Sequence, residues 1–216
     1  MIQGLKHVGS ARLKEESGAQ ATYIYPRDAT SVLELVQFGV LEFHPWGSTI
    51  GQPELADRVV FDLDPDDDGA WPRVVAAARL VRKLLAQLGL ESFLRTTGGK
   101  GLHVVVPLNP GCPWPQVKDF AHAFAGTLAQ AHPLEFIATA SKSQRNGLIY
   151  VDYLRNSRGA TSVASYSLRA RSGAPVAMPL RWSELGKLKS GHDFDIRSAP
   201  KRLARQRSDP WAGMDE

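Results

Sequence analysis

Apolar residues recur at helical spacing along the stretch that follows Pro72. The residues of this stripe are Val74, Ala78, Val81, Leu85 and Leu88. Spacings of four and three place them on one face of an α-helix, so the stripe predicts an amphipathic helix with one buried face. Gly89 is expected to end the helix, because glycine readily adopts the backbone conformation that follows a last turn. The aspartates at 66–68 are expected at its N-terminus, where the helix dipole favours negative charge.

Two further helices are predicted from their terminal residues. Asp28 or Thr30 can cap the first, which ends at Gly39. Pro115 suits the first turn of the second, which continues to about Ala131.

Short apolar or alternating runs predict strands between these helices. The runs are 21–25, 40–44, 58–63, 90–96, 102–108, 147–154 and 161–170. The sequence TGGKG at 97–101 predicts a tight glycine turn between two of them. Strands and helices alternate without a strict β-α-β rhythm, so we expect an α+β (mixed α/β) fold built on a mixed sheet.

Composition is that of an ordinary globular protein. The chain has 216 residues, enough for one large domain or two small ones, and it carries a formal net charge of +4. Its single cysteine, Cys112, excludes an internal disulfide and a multi-cysteine zinc site. No apolar run has the length of a signal peptide or a membrane span, so we expect a cytoplasmic protein without a membrane partner.

Positive charge is concentrated in the polar tail that begins at residue 187. Four of its basic residues recur at helical spacing: Lys201, Arg202, Arg205 and Arg207. A solvated helix face and a nucleic-acid contact both explain this pattern, and the sequence leaves both open.

Five aspartates crowd the sequence VVFDLDPDDDG at 59–69. Asp62 and Asp64 would share one face of a strand, with Cα atoms roughly 6.6 Å apart. Carboxylates held this close repel one another unless a cation lies between them, and their oxygens suit Mg²⁺ or Mn²⁺. Paired aspartates at a strand end are also common turn formers, so the pattern by itself leaves both interpretations open.

A calcium-binding loop that starts at Asp64 is excluded by its last position. Aspartates would stand at positions one, three and five, with Gly69 at position six. Position twelve requires an acidic ligand, but Val75 occupies it within the apolar stripe.

The segment RTTGGKGLH at 95–103 can bind an anion through its glycine N–H groups and Lys100. It is not a P-loop, since Gly101 follows the lysine where that motif has Ser or Thr. A hairpin turn without a ligand explains the segment equally well. His103, at the start of an apolar strand, fits either a ligand or a hydrogen-bonded core histidine.

Asp152 lies inside an apolar strand, where a carboxylate is costly to bury unless it is paired or bound to a metal. Arg145 and Arg155 are the neighbouring arginines that could pair with it. Further along, Arg169 and Arg171 share one face of a predicted strand, where a phosphate clamp and a solvated edge are both open.

Taken in order, five motifs resemble one family. They are HPWG, DLDP, TGGKGLH, RNGLIYVDYLRN and SYSLRAR. The set is similar to the polymerase domain of bacterial ATP-dependent DNA ligase D, in the archaeo-eukaryotic primase superfamily, and extends from about Tyr23 to about Trp182. The resemblance implies a primase-polymerase-like fold with a central, largely antiparallel mixed sheet flanked by helices.

The resemblance also implies a site. The positions that match the family's metal-binding and catalytic aspartates, which hold two Mn²⁺ (or Mg²⁺) ions, are Asp62, Asp64 and Asp152. The positions that match nucleotide-binding residues are His44, Thr97, Lys100, His103, Arg145 and Arg169. The family usually has Ser where Thr97 stands, which preserves the hydroxyl.

The implied activity is nucleotidyl transfer to a DNA 3′ end, in non-homologous end-joining repair or priming. The 3′-hydroxyl would attack the α-phosphate of an NTP or dNTP, and pyrophosphate would leave. DNA ends or a primer–template, the bacterial Ku protein and a separate ligase are the implied partners, which suggests a nucleoid-associated protein. An idle nucleotide- or DNA-end-binding module is the alternative; a two-metal nuclease has less support, since it needs no triphosphate cradle.

The resemblance implies two parts of the chain. Residues 1–186 are expected to form the catalytic domain, and 187–216 a polar basic tail. The family domain has a further N-terminal segment that contacts the 5′-phosphate and template, and we expect this chain to lack most of it.

Overall fold

The computed structural model describes residues 4–15, 17–67 and 70–214, which fold as eight strands, four α-helices and short 3₁₀ turns. The strands are β1 (Gly9–Lys14), β2 (Gln20–Tyr25), β3 (Leu55–Pro65), β4 (Phe93–Thr96), β5 (Leu102–Pro113), β6 (Phe136–Ile137), β7 (Ile149–Asp152) and β8 (Pro179–Leu180). The helices are α1 (Ala29–Gln37), α2 (Trp71–Gln87), α3 (Trp114–Ala131) and α4 (Ser198–Arg205).

Six of the strands form the central sheet, in the order β6-β7-β3-β5-β4-β8. The β6–β7 pair is parallel and the other pairs are antiparallel. This confirms the prediction of a mixed, largely antiparallel sheet with flanking helices. Strands β1 and β2 form a separate antiparallel hairpin, of which β1 had no counterpart in the sequence prediction.

The two faces of the sheet have different chemistry because side chains alternate along each strand. On β3, Val59, Phe61 and Leu63 belong to the hydrophobic core, which α2 and α3 cover. The intervening Asp62 and Asp64 therefore point to the opposite face. One face of the sheet thus forms the core, and the other is left for polar side chains.

Helix α2 confirms the predicted stripe, with Val74, Ala78, Val81 and Leu85 buried. Leu88, the last residue of the stripe, is 59% exposed because it lies in the cap, where the helix ends before Gly89.

This difference predicts unequal costs for two leucine substitutions at the same helix end. Leu85→Ala is expected to lower the free energy of unfolding by about 3 kcal/mol, because it removes fully buried methyl groups and leaves a cavity. Leu88→Ala, the control, should cost less than about 0.5 kcal/mol. Urea denaturation of both variants measures the difference, and equal costs would contradict the assigned core.

Two predicted strands are wrong. Residues 40–44 and 161–170 form no strand ladder, although they lie side by side. Their backbones are joined by single bonds, such as that from the N–H of Ala164 to the carbonyl oxygen of Phe43, and the N–H of Phe43 donates to the Ser167 hydroxyl. Tyr166 adopts a positive φ of 66°, which interrupts any extended run. Alternation of residue types could not reveal this turn.

The described aspartates before α2, Asp66 and Asp67, do not act as its N-cap. The helix has Ala70 as its N-cap with no side-chain hydrogen bond, whereas Asp66 accepts the backbone N–H of Gly147 and Asp67 pairs with Arg73. Asp68 and Gly69 lie outside the described residues. The pairing with Arg73 places Asp67 beside the first turn of α2, whereas Asp66 joins β3 to the turn before β7. The favourable interaction of these aspartates with the helix dipole stays a prediction. A calcium-binding loop of this type follows a helix, but Asp64 lies on strand β3, which agrees with the exclusion of such a loop.

The C-terminal residues pack against the sheet. Arg202 of α4 pairs with Glu184 at 2.6 Å, and the indole N–H of Trp211 donates to the carbonyl oxygen of Leu94. Of the four basic residues in the predicted tail pattern, Arg202 is thus an internal partner, while Lys201, Arg205 and Arg207 are exposed. The division at residue 187 stays a prediction. Within the described ranges, no helix combines the length and apolarity needed to cross a bilayer.

Candidate active site

A cavity of about 370 Å³ lies on the polar face of the sheet. The structure brings all the predicted site residues except Asp152 to its wall, although they come from separate segments of the chain. The predicted residues that line it are His44, Asp62, Asp64, Thr97, Lys100, His103, Arg145 and Arg169. Arg155 and Arg171, which the sequence left with alternative roles, also line it.

The three candidate metal-binding aspartates lie on neighbouring strands. Asp62 of β3 is directly opposite Asp152 of β7 in the antiparallel register, and Asp64 is two residues further along β3. The side chain of Asp64 is 43% exposed, but those of Asp62 and Asp152 are only 14% and 13% exposed. Strand pairing therefore places a buried carboxylate pair beside a more accessible one.

Two arginines supply positive charge to these aspartates. Arg145 Nη1 is 2.7 Å from Asp64 Oδ2. Arg155 lies between the other two, with Nε 3.2 Å from Asp152 Oδ2 and Nη2 3.5 Å from Asp62 Oδ2. Asn156 holds the turn that carries Arg155. Its buried side-chain amide accepts a hydrogen bond from the N–H of Val60 on β3 and donates one to the carbonyl oxygen of the same residue. The role of Asn156 had no signal in the sequence, because its partner is 96 residues away.

The pKa values of the buried carboxylate pair shift in opposite directions. Burial raises the pKa of Asp152, and the negative charge of Asp62 adds to this effect. Burial would raise the pKa of Asp62 as well, but His103, Arg155 and Arg95 outweigh it, so the pKa of Asp62 falls below its ordinary value. The site therefore holds one well-compensated carboxylate and one, Asp152, whose charge is incompletely balanced.

His103 connects Asp62 to a buried arginine. Arg95 Nη2 lies 2.9 Å from His103 Nδ1, and His103 Nε2 lies 3.5 Å from Asp62 Oδ2. Because a guanidinium can only donate, Nδ1 must accept, so His103 is neutral with its proton on Nε2, facing Asp62. Burial lowers the pKa of His103, which agrees with the neutral form of the ring. Burial also lowers the pKa of Arg95, to about 9.

Arg95 was missed by the sequence interpretation. It lies on β4 next to the core residue Leu94, so its side chain points to the same polar face as the site. Strand alternation could have indicated that direction. It could not have indicated that β4 and β5 pair Arg95 with His103.

The glycine turn is closed by Thr97 and packs tightly against β3. The Thr97 hydroxyl donates to the carbonyl oxygen of Gly101 and accepts the N–H of Gly99, each at 3.1 Å. Gly98 adopts a φ of 65°, which favours glycine. A Cβ at Gly101 would overlap the carbonyl oxygen of Leu63, between the two aspartates of β3. Only glycine lets the turn lie this close to the carboxylates.

Glu42 joins two predicted nucleotide-binding side chains and was also missed. Its Oε2 is 2.6 Å from His44 Nε2 and 3.0 Å from Arg169 Nε, while Oε1 accepts the backbone N–H of Ala170. These bonds lower the pKa of Glu42 to about 2, with the bond from His44 as the largest cause, against the raising effect of partial burial.

The lowered pKa of Glu42 predicts an acid-dependent loss of stability. A carboxyl group whose pKa is lower when folded stabilises the protein above about pH 4.5, and that contribution disappears as the pH falls towards 2. After allowance for solvent screening, the contribution should be about 1 kcal/mol. Urea denaturation of wild type and Glu42→Gln at pH 7 and pH 3 measures it. The variant should be less stable at pH 7, the difference should shrink to about half or less at pH 3, and a constant difference would contradict the assignment.

The donor set of the aspartates suits a hard divalent cation, because carboxylate oxygens are the ligands that Mg²⁺ and Mn²⁺ prefer. The arginines beside them show that this group of carboxylates requires positive charge. Among the described residues, no group of three His, Cys, Asp or Glu side chains is close enough to hold an ion in common. The residues thus fit a metal by donor type, and the metal assignment stays a prediction.

Comparison with known proteins identifies the family. A family model described as the LigD primase-polymerase domain matches residues 3–211. The Pseudomonas aeruginosa multifunctional non-homologous end joining protein LigD is 46% identical over 187 residues, which is 86% of this chain and 22% of that protein. The Mycobacterium tuberculosis LigD is 38% identical over 183 residues, which is 81% of this chain and 24% of that protein.

The fold matches a solved structure. The polymerase domain of Mycobacterium tuberculosis ligase D, in complex with DNA, superposes with a TM-score of 0.89 at 32% identity, covering 100% of this chain and 77% of that one. The chain spans about a quarter of the length of the two curated relatives. The family model, the relatives and the fold agree, and the chain belongs to the LigD primase-polymerase domain family.

Proposed function

We propose that this chain is a metal-dependent nucleotidyltransferase that adds NTPs or dNTPs to a DNA 3′ end. The single observation that carries the proposal is the composition of the cavity, which is lined both by aspartates of β3 and by a set of basic side chains. These are Lys100, Arg145, Arg155, Arg169 and Arg171. A triphosphate needs such positive charge, and a site for divalent ions needs such carboxylates.

Asp62, Asp64 and Asp152 would hold two Mn²⁺ or Mg²⁺ ions. When bound, such ions lower the pKa of an attacking hydroxyl and stabilise a leaving pyrophosphate. The buried position of Asp62 and Asp152 supports this role, because desolvated carboxylates gain more from a cation than solvated ones. Neutral His103 keeps its Nε2 proton directed at Asp62 and so holds that carboxylate in a fixed orientation.

The chain's own basic groups would bind and orient the nucleotide. Lys100 lies in the glycine turn, and Arg169 is fixed beside it by the carbonyl oxygen of Thr97. Arg171 is next to Gly99 in the same turn. Charge-assisted hydrogen bonds from such groups to phosphate oxygens position the α-phosphate for in-line attack and offset the charge of the triphosphate.

We extend the proposal to non-homologous end-joining repair or priming, with Ku and a separate ligase as partners. The curated relatives are named as end-joining proteins, and the solved mycobacterial domain is a DNA complex. The net charge of +4 is compatible with a DNA partner.

A primer-extension assay tests the proposal. The protein is incubated with Mn²⁺, each NTP and dNTP in turn, and a labelled primer–template whose downstream strand carries a 5′-phosphate. Extension by single nucleotides is the expected result. Shortening of the primer would instead indicate a nuclease, and nucleotide binding with neither change would indicate an idle binding module; either outcome would overturn the proposal.

A further inference from the structure

Glu42 bridges two parts of the cavity wall that are far apart in the chain. Its carboxylate is 26% exposed and joins His44, two residues away, to Arg169, which is 127 residues away. Oε2 contacts both side chains, and Oε1 accepts the N–H of Ala170 at 2.6 Å. Both oxygens are thus used, and they hold together two segments of the cavity wall that are distant in the sequence.

Arg169 is held on two of its three nitrogens. Its Nε donates to Glu42 at 3.0 Å, and its Nη1 donates to the carbonyl oxygen of Thr97 in the glycine turn. Its side chain is 15% exposed. A guanidinium held in this way keeps the donors of its third nitrogen for a ligand, in a fixed plane.

An arginine that is already oriented before the ligand arrives binds that ligand more tightly. A free arginine has many rotamers, and a ligand that fixes it must offset that lost entropy. A carboxylate on the far side of the guanidinium holds the arginine in place without using every donor. Glu42 is ionised at neutral pH, because its pKa is lowered to about 2, so its attraction for Arg169 is always present under working conditions.

We propose that Glu42 is a positioning residue that holds Arg169 and His44 in the geometry needed to bind the triphosphate of the incoming nucleotide. This inference rests on the proposed function, since it assigns the cavity to a nucleotide. Glu42 itself need not touch the ligand. Its negative charge close to a polyanion would disfavour binding by itself, so the proposal requires that orientation outweighs repulsion, which gives the effect a definite sign.

The test measures binding without catalysis. Isothermal titration of the protein with ATP and, separately, inorganic tripolyphosphate, each with Mn²⁺ and without DNA, gives dissociation constants. Glu42→Gln should weaken both about tenfold, as expected when one charge-assisted contact that orients a binding arginine is lost. Glu42→Asp keeps the charge but shortens the reach, and should give an intermediate loss. A melting curve for each variant verifies folding.

Glu54→Gln is the matched control. Glu54 also accepts two bonds from one arginine, Arg158, at 2.9 and 2.6 Å, but it does not line the cavity. Its substitution should leave both dissociation constants within about twofold, the spread of independent surface changes.

A double-mutant cycle separates positioning from general support of the fold. If Glu42 acts through Arg169 and His44, adding Glu42→Gln to Arg169→Ala should weaken ATP binding by clearly less than the tenfold loss it causes in the wild type, because only His44 is left to position. Full additivity of the two losses would overturn the inference.

The outcomes distinguish this inference from the function on which it rests. If wild type binds neither ATP nor tripolyphosphate, both fail together. If wild type binds and Glu42→Gln binds equally well or more tightly, only the role of Glu42 fails. If wild type binds but does not extend a primer, polymerisation fails while a tenfold loss in Glu42→Gln still supports the positioning role.

Discussion

Asp152→Asn is expected to reduce primer extension by on the order of a thousandfold, the loss typical of removing one preorganised charged group from an active site. The side chain retains its shape, and its oxygen can still accept the N–H of Leu154 and the hydroxyl of Tyr150. What disappears is the negative charge, which the proposal assigns to a metal ion. Initial rates at saturating Mn²⁺ and nucleotide measure the change.

Stability should respond differently from activity. Burial and the charge of Asp62 both raise the pKa of Asp152, so the ionised carboxylate is held against a cost. A neutral asparagine removes that cost but also loses the pairing with Arg155. We therefore expect the free energy of unfolding to change by less than about 1 kcal/mol. Unchanged folding with lost activity is the signature of a functional carboxylate.

Asp67→Asn is the control for charge alone. Asp67 lies in the same acidic segment and pairs with Arg73, but its side chain is 57% exposed and does not line the cavity. Its substitution should leave extension within about twofold of wild type, as expected for an exposed ion pair. Chelation with EDTA should stop extension by wild type, and added Mn²⁺ should restore it. Asp152→Asn with more than a tenth of wild-type activity would refute the metal assignment.

Gly101→Ala is expected to have the second largest effect, on structure and binding together. The added methyl group would overlap the carbonyl oxygen of Leu63, and backbone on both sides cannot move away cheaply. Either the glycine turn or β3 must shift, and both carry site residues. We expect the free energy of unfolding to fall by about 3 kcal/mol and ATP affinity to fall at least about tenfold.

Gly126→Ala provides the matched control, because it makes the same chemical change at an open position. Gly126 lies within α3, and a Cβ there meets no atom within 4 Å. Alanine favours a helix over glycine, so this variant should be more stable by about 0.5–1 kcal/mol, with unchanged binding. Urea denaturation and titration with ATP measure both variants. If Gly101→Ala behaves like Gly126→Ala, the close approach of the turn to β3 is wrong.

Much of the fold could be predicted because it depends on local periodicity. The stripe of α2 and the apolar run of β3 both report which face of an element meets the core, whatever the partner is. Alternation along β3 also placed Asp62 and Asp64 on one face before any neighbour was known. The ordered motifs indicated the family, which the family model and the relatives confirm.

Other elements depended on contacts that no local pattern reports. Residues 40–44 and 161–170 alternate like strands, yet Tyr166 turns the chain, and Glu42 and Ser167 supply bonds that a ladder would otherwise make. The hydrogen bond of Asp66 is a similar case, because its partner, the N–H of Gly147, is 81 residues away in the chain. A side chain with several possible partners takes the one that tertiary packing brings to it.

The sequence by itself determined the mixed sheet, the buried faces of its helices, the family and the set of residue types in the candidate site. Only the tertiary structure decided how these residues are paired: Arg155 between Asp62 and Asp152, Arg95 behind His103, and Glu42 behind Arg169. The physical reason is the distance along the chain over which each effect acts. Periodicity acts over a few residues of one element, whereas the charge and orientation of a buried side chain depend on groups that folding brings from distant parts of the chain.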